Sequence, residues 1–129
     1  PPGGWENVMA YDSDNVFAQI LRGEIPCDRV YEDDHVLAFN DIHPQAPTHV
    51  LAVPKEAYTS MEDFTQNASD ATISALFRAV GQIARDLGLA ETGYRILANT
   101  GDDGGQEVPH LHIHIFGGRL LGPMLSKGA

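Results

Sequence analysis

A chain of 129 residues and 14.0 kDa is enough for one domain with a single ordinary core. Hydrophobic residues at 43% and charged residues at 20% exclude wholesale disorder. Eighteen acidic against eight basic residues give a net charge of −10, which excludes a surface built for polymeric nucleic acid or anionic lipid.

In chain order, residues 1–10 hold two prolines, two glycines and Met9, a candidate natural start. They read as a flexible tail, with one domain over 11–129. That start is acidic and lacks an apolar h-region, so no signal peptide is expected. Ser13 or Asp12 is expected to cap a short helix in which Val16, Phe17, Ile20 and Leu21 recur at helical spacing, with Gly23 as its C′ residue and Pro26 beyond. Cys27 is the only cysteine, which leaves no intrachain disulfide or cysteine zinc cluster and fits a reducing, cytoplasmic compartment. Strands are predicted over 29–31, 35–40 and 49–53, the first two joined as a hairpin at Glu32-Asp33-Asp34. Ile73, Leu76, Phe77, Val80, Ile83, Ala84 and Leu87 form one apolar stripe, predicting a helix over 70–87 capped by Ser69 and closed by Gly88. Strands over 94–99 and 110–116 complete the chain. No apolar run approaches the ~18 residues of a membrane span. Helix, three strands, long helix and two strands, without βαβ alternation, predict an α+β domain with an antiparallel sheet. The loops 41–48 and 100–109 are long enough to carry function, and each leads to a strand predicted to begin with histidine.

Three of the six histidines fall in PHLHIHIFGG, at His110, His112 and His114. On a strand these positions share one face, while Leu111, Ile113 and Ile115 share the other and are expected to be buried. Metal binding is one reading of such a row. Strand rise, however, sets His110 and His114 roughly 13 Å apart, too far to grip one ion, and no further ligand cluster is evident, so no metal is assigned. The second reading is neutral imidazole as nucleophile and acid/base, its tautomer fixed by a hydrogen bond on the far nitrogen. The preceding Gly104-Gly105-Gln106-Glu107-Val108 can turn successive N–H groups towards an anion, although the same residues also make a plain turn.

His110-Leu111-His112-Ile113-His114-Ile115-Phe116 resembles the signature of the histidine triad (HIT) superfamily, His-φ-His-φ-His-φ-φ with φ apolar. The resemblance covers about residues 12–119. It extends through FAQILRGEIP, LAFNDIHPQAPTH, GYRILAN and GQEVPHLHIH, and the GGR ending is similar to that of the Hint branch, the nucleoside phosphoramidases. It implies a HIT fold with a five-stranded antiparallel sheet and two helices, continued as ten strands across a homodimer. It implies a purine nucleotide substrate, with AMP or GMP as product, and no cofactor.

The same resemblance implies roles. His112 would attack phosphorus and carry the nucleotidyl group, and His114 would contact phosphate oxygens. His110 and His49 would support the nucleophile and relay protons. Asn99 and the loop at Gly105, Gln106, Glu107 and Val108 would hold the phosphate. Asp41 would accept the ribose hydroxyls, and Val16, Phe17, Ile20, Phe39 and Ile42 would form the slot for the base. Glu107 stands where the best-known Hint members carry serine, so a protonated carboxyl there would be a direct donor to the leaving amine; its rival role is backbone alone, with the side chain in solvent. The ending RLLGPMLSKGA departs from the Trp-Pro-Pro-Gly of those members. Two other functions fit the same residues: hydrolysis of dinucleoside polyphosphates on the same fold, and nucleotide or partner binding with vestigial activity.

Overall fold

The computed structural model describes residues 10–126, so nearly all of the tail predicted over 1–10 lies outside the described residues. The elements are α1 (Val16–Leu21), β1 (Arg29–Glu32), β2 (Val36–Asn40), β3 (Thr48–Pro54), α2 (Met61–Asn67), α3 (Asp70–Asp86), α4 (Leu89–Thr92), β4 (Tyr94–Leu97), α5 (Gly101–Gly104) and β5 (Ile113–Gly117). The strands form one antiparallel sheet in the order β1-β2-β3-β5-β4. This is the expected α+β architecture with its five-stranded antiparallel sheet, and it adds three short helices, α2, α4 and α5, that the apolar pattern did not predict. No helix among the described residues is long and apolar enough to cross a membrane.

The inner strands β2 and β3 are buried on both faces, and their alternation sorts the two sides. Val36, Ala38, Val50, Ala52, Ile113 and Ile115 face a core closed by Leu76, Ala79, Val80, Ile83 and Ala84 of α3 and Phe64 of α2. Leu111 joins that core, as its spacing predicted. Leu37, Phe39, Leu51 and Val53 point the other way and are covered by Phe17 of α1. The remainder of that second face carries the histidines.

Ser69 caps α3 and Gly88 (φ 75°) follows its C-cap Leu87, one residue short of the predicted span. The cap of α1 differs from expectation. Asp12 is occupied accepting from the Asp14 N–H at 2.9 Å, and Asn15 accepts from Ala18 N–H at 2.9 Å instead. Such a cap contributes about 1 kcal/mol.

The largest correction concerns β5, which begins at Ile113 rather than at residue 110. Its register pairs Ala52 with Ile113, so a continued ladder would set Leu111 opposite Pro54. Proline has no N–H to offer, and its carbonyl is taken by the His110 ring. Leu111 N–H turns instead to Tyr58 O at 2.8 Å. Only His114 therefore sits in the strand ladder; His110 and His112 lie in the segment leading into it. Likewise, β3 begins at Thr48, one residue before His49.

Candidate active site

Side-chain bonds, rather than a strand row, orient the histidines. His112 Nδ1–H donates to the His110 carbonyl at 2.7 Å. A carbonyl can only accept, so Nδ1 carries the proton and the Nε2 lone pair of neutral His112 is free. The His110 ring is fully buried, with Nε2–H donating to Pro54 O at 2.9 Å and Nδ1 facing the Tyr11 hydroxyl at 2.6 Å. The two remaining rings form a directed chain. Gln45 N–H donates to His49 Nδ1 at 3.1 Å, which places the His49 proton on Nε2, 2.9 Å from His114 Nδ1. His114 must then bear its proton on Nε2. That Nε2 is the buried side-chain polar atom left without a hydrogen-bond partner among the described residues. An unpaired buried donor costs about 1–3 kcal/mol, so its position next to His112, ring to ring at 4.9 Å, marks where an anion would be received.

Burial keeps these imidazoles neutral. It pushes His110 and His114 down from 6.5 to about 4. It also lowers His112, against the opposing pull of the His110 carbonyl and the Asp41 and Glu107 carboxylates. His49 is lowered by burial too, with Asp41 acting in the opposite direction. The sign follows directly. A folded state that binds fewer protons than the unfolded chain is most stable above pH 6.5 and loses that contribution as pH falls from 6.5 towards 4. An NMR titration should find His110 and His114 unprotonated at about pH 5. A midpoint at or above 6.5 for either ring would contradict this environment.

The phosphate loop is only partly as predicted. Residues 101–104 wind into α5, and Gly105 (φ 74°) and Gln106 donate their N–H groups back to Asp102 O at 3.0 Å and Gly101 O at 3.1 Å. Those two donors are spent on the helix rather than turned towards an anion. The Gln106 amide braces the loop, donating to Thr59 O at 2.7 Å and Val108 O at 3.0 Å and accepting from Gly101 N–H at 3.2 Å. Glu107 and Val108 N–H make no hydrogen bond within the described residues and remain available. Glu107 itself is exposed, its charge felt at His112. Asn99 is half-buried beneath Gly104, whose Cα leaves room for only an ordinary contact with the Asn99 backbone.

Asp41 accepts from His43 N–H at 2.8 Å with one oxygen, and its other oxygen lies 3.5 Å from His49 Nε2. Asp41, His49 and His114 thus hold three possible metal-ligand atoms within 4.8 Å of one another, a grouping that spacing along a single strand could not reveal. An ion there would replace the His49–His114 hydrogen bond. Of the predicted base slot, Phe17 and Phe39 are in edge contact at 5.5 Å and Ile20 packs against them. Val16 is 39% exposed and Ile42 84% exposed, and neither joins that cluster. Leu37, Leu51, Val53 and Val108 do. The sequence reading also passed over Tyr11, Gln45 and Phe116, the last stacked on His114 at 5.6 Å and 4°. Gln45 and Phe116 lie within the quoted motifs, but the sequence does not show that the first acts by its backbone N–H and the second by ring stacking; Tyr11 lies outside them, 99 positions from His110.

Residues 22–121 match the family model described as HIT domain. The chain belongs to the HIT domain family. Among HIT proteins it is 64% identical over 121 residues to a 13.2 kDa HIT-like protein of Azospirillum brasilense, covering 94% of this chain and 99% of that one. It is 46% identical over 113 residues to the purine nucleoside phosphoramidase of Escherichia coli K12, covering 88% and 94%. The HIT family hydrolase of Clostridium thermocellum superposes with a TM-score of 0.80 at 40% identity, over 89% of this chain and 99% of that one. With the family match spanning residues 22–121, and a named phosphoramidase and a HIT family hydrolase among the proteins it resembles, this chain is a HIT hydrolase.

Proposed function

We propose that the chain hydrolyses purine nucleoside 5′-phosphoramidates to the nucleoside monophosphate and an amine through a nucleotidyl group on His112. The observation that carries this reading is the tautomer of His112, set by the His110 carbonyl at 2.7 Å, which aims the free Nε2 lone pair from a buried site. The similarity to the Escherichia coli phosphoramidase supports the substrate class.

In the first step His112 Nε2 bonds to phosphorus and the P–N bond breaks, its electron pair leaving with the amine nitrogen. That nitrogen needs a proton, since an amide anion is a very poor leaving group, and Glu107 is the nearby candidate donor. The His112 ring becomes cationic. Its Nδ1–H bond to the His110 carbonyl and the fields of Asp41 and Glu107 favour that cation. His114 Nε2–H, with the N–H groups of Glu107 and Val108 and the Asn99 amide, receives the phosphoryl oxygens. Phe17, Phe39 and Ile20 take the base, and Asp41 the ribose. Water then attacks phosphorus and gives its proton to the Glu107 carboxylate, restoring the acid, while the P–Nε2 bond breaks with its electron pair returning to His112 and AMP or GMP leaves. No cofactor enters either step. Offering adenosine 5′-phosphoramidate and a diadenosine polyphosphate side by side tests the reading: kcat/KM should favour the phosphoramidate, and the opposite order would overturn it.

We place the protein in the cytoplasm, a reading supported by the free thiol of Cys27. We also propose a homodimer built on β4. The sheet ends on β1 and β4. The β1 edge is protected by a register shift and by Arg29 and Lys55 paired with Glu32. The β4 edge instead exposes Tyr94, Ile96 and Leu97. Pairing two β4 edges would make ten continuous strands. Sedimentation should give a species near twice 14.0 kDa at micromolar concentration, and a lone 14.0 kDa species would contradict the dimer.

A further inference from the structure

His110 is held by two groups outside the histidine motif, the Pro54 carbonyl and the Tyr11 hydroxyl. We propose that Tyr11 is a positioning residue for the nucleophile. Its hydroxyl fixes the ring of His110, whose backbone carbonyl in turn fixes the tautomer of His112. The inference rests on the reading of His112 as nucleophile.

Hydrogen-bond polarity makes the arrangement one-directional. Pro54 O can only accept, so His110 Nε2 carries the proton and Nδ1 presents a lone pair. A group 2.6 Å from that lone pair must donate, and Tyr11 does so with its O–H. Both nitrogens of a fully buried ring are then satisfied in one tautomer and one orientation. Burial holds the ring neutral down to about 4, so this bonding scheme persists at physiological pH. Removing the hydroxyl would leave a buried acceptor without a partner, and the ring would have to turn or admit water. The carbonyl of the same residue lies 2.7 Å from His112 Nδ1, so a shift at residue 110 is passed directly to the nucleophile.

Tyr11 is presented on a fixed spacer. The Asp12 carbonyl accepts from Asn15 N–H at 3.2 Å and from the Asn15 amide at 2.6 Å, while the Asn15 side chain caps α1. One turn on, Phe17 sets its ring edge-on to His110 at 6.5 Å and to His112 at 4.9 Å. The stretch from Tyr11 to Phe17 therefore clamps both histidines, Tyr11 by a hydrogen bond and Phe17 by packing.

Tyr11→Phe removes only the hydroxyl and keeps the ring packed against His110. The expected result is a kcat about tenfold lower with KM changed by less than about twofold. In 15N NMR, His112 should no longer be purely the Nδ1–H tautomer. In a His110→Ala background the same substitution should cost less than about twofold, because Tyr11 would have nothing to act through. Unchanged His112 nitrogen resonances in Tyr11→Phe, or an equal tenfold loss in both backgrounds, would overturn the proposal. The tautomer measurement needs no substrate. A wild-type protein that fails to turn over phosphoramidate would sink the functional reading, while the nitrogen resonances would still decide the role of Tyr11.

Discussion

Replacing His112 by alanine is expected to lower kcat by about 10⁴-fold or more while leaving nucleotide affinity within a few fold. The asymmetry follows from the division of labour in the site. On the proposed reading His112 supplies the free Nε2 lone pair, whereas Phe17, Phe39 and Ile20 would receive the base and groups on other segments the phosphate. His112 is buried yet takes no part in the main core, which Leu111 and Ile113 reach from the opposite side. Its removal should therefore spare the fold. Retention of more than about a tenth of wild-type kcat, read in a steady-state assay on a phosphoramidate, would exclude His112 as the nucleophile.

His114→Ala should cost about 10²–10³ in kcat, the loss typical of one preorganised donor to a developing oxyanion. Among the described residues its Nε2–H is buried without a partner, and its tautomer is dictated by the chain running from Gln45 N–H through His49. A phosphoryl oxygen would satisfy that donor, more strongly as negative charge builds up. In the proposed mechanism the same chain would make His49 a support that orients His114 rather than a contact to phosphate. Steady-state kinetics of the His114 variant checks this, and a loss below about tenfold would remove His114 from the phosphate's partners.

What could be read from the sequence depended on periodicity. The stripe from Ile73 to Leu87 announced α3, and the alternation of Leu111, Ile113 and Ile115 placed them in the core where they are found. The helix α2 escaped because only Phe64 within it is buried, too little for a stripe. Its one signal was local: Ser60 caps the Asp63 N–H, and Asp63 reaches back to Thr59 N–H at 2.8 Å, a variant of the capping box.

At the site, residue identities were legible and hydrogen-bond assignments were not. Alternation alone cannot show that Pro54 ends the β3–β5 ladder, and it is this that frees His110 and His112 from the strand. Nor could a glycine-rich string reveal that Gly105 and Gln106 spend their N–H groups closing α5. Asp41, His49 and His114 meet only because β3 and β5 pair in this register, opposing Leu51 to His114 and His49 to Phe116. Tyr11 and His110 are 99 positions apart, and nothing along the chain links them.

The central claim is that phosphorus passes through a bond to His112 Nε2. Single-turnover reaction of the protein with adenosine 5′-phosphoramidate, quenched on the millisecond scale and mapped by peptide mass spectrometry, tests it directly. The account predicts an adenylyl group on His112 that forms with release of the amine and decays as AMP appears. An adenylyl group on another residue, or release of AMP with no enzyme-bound nucleotide at any time, would contradict it.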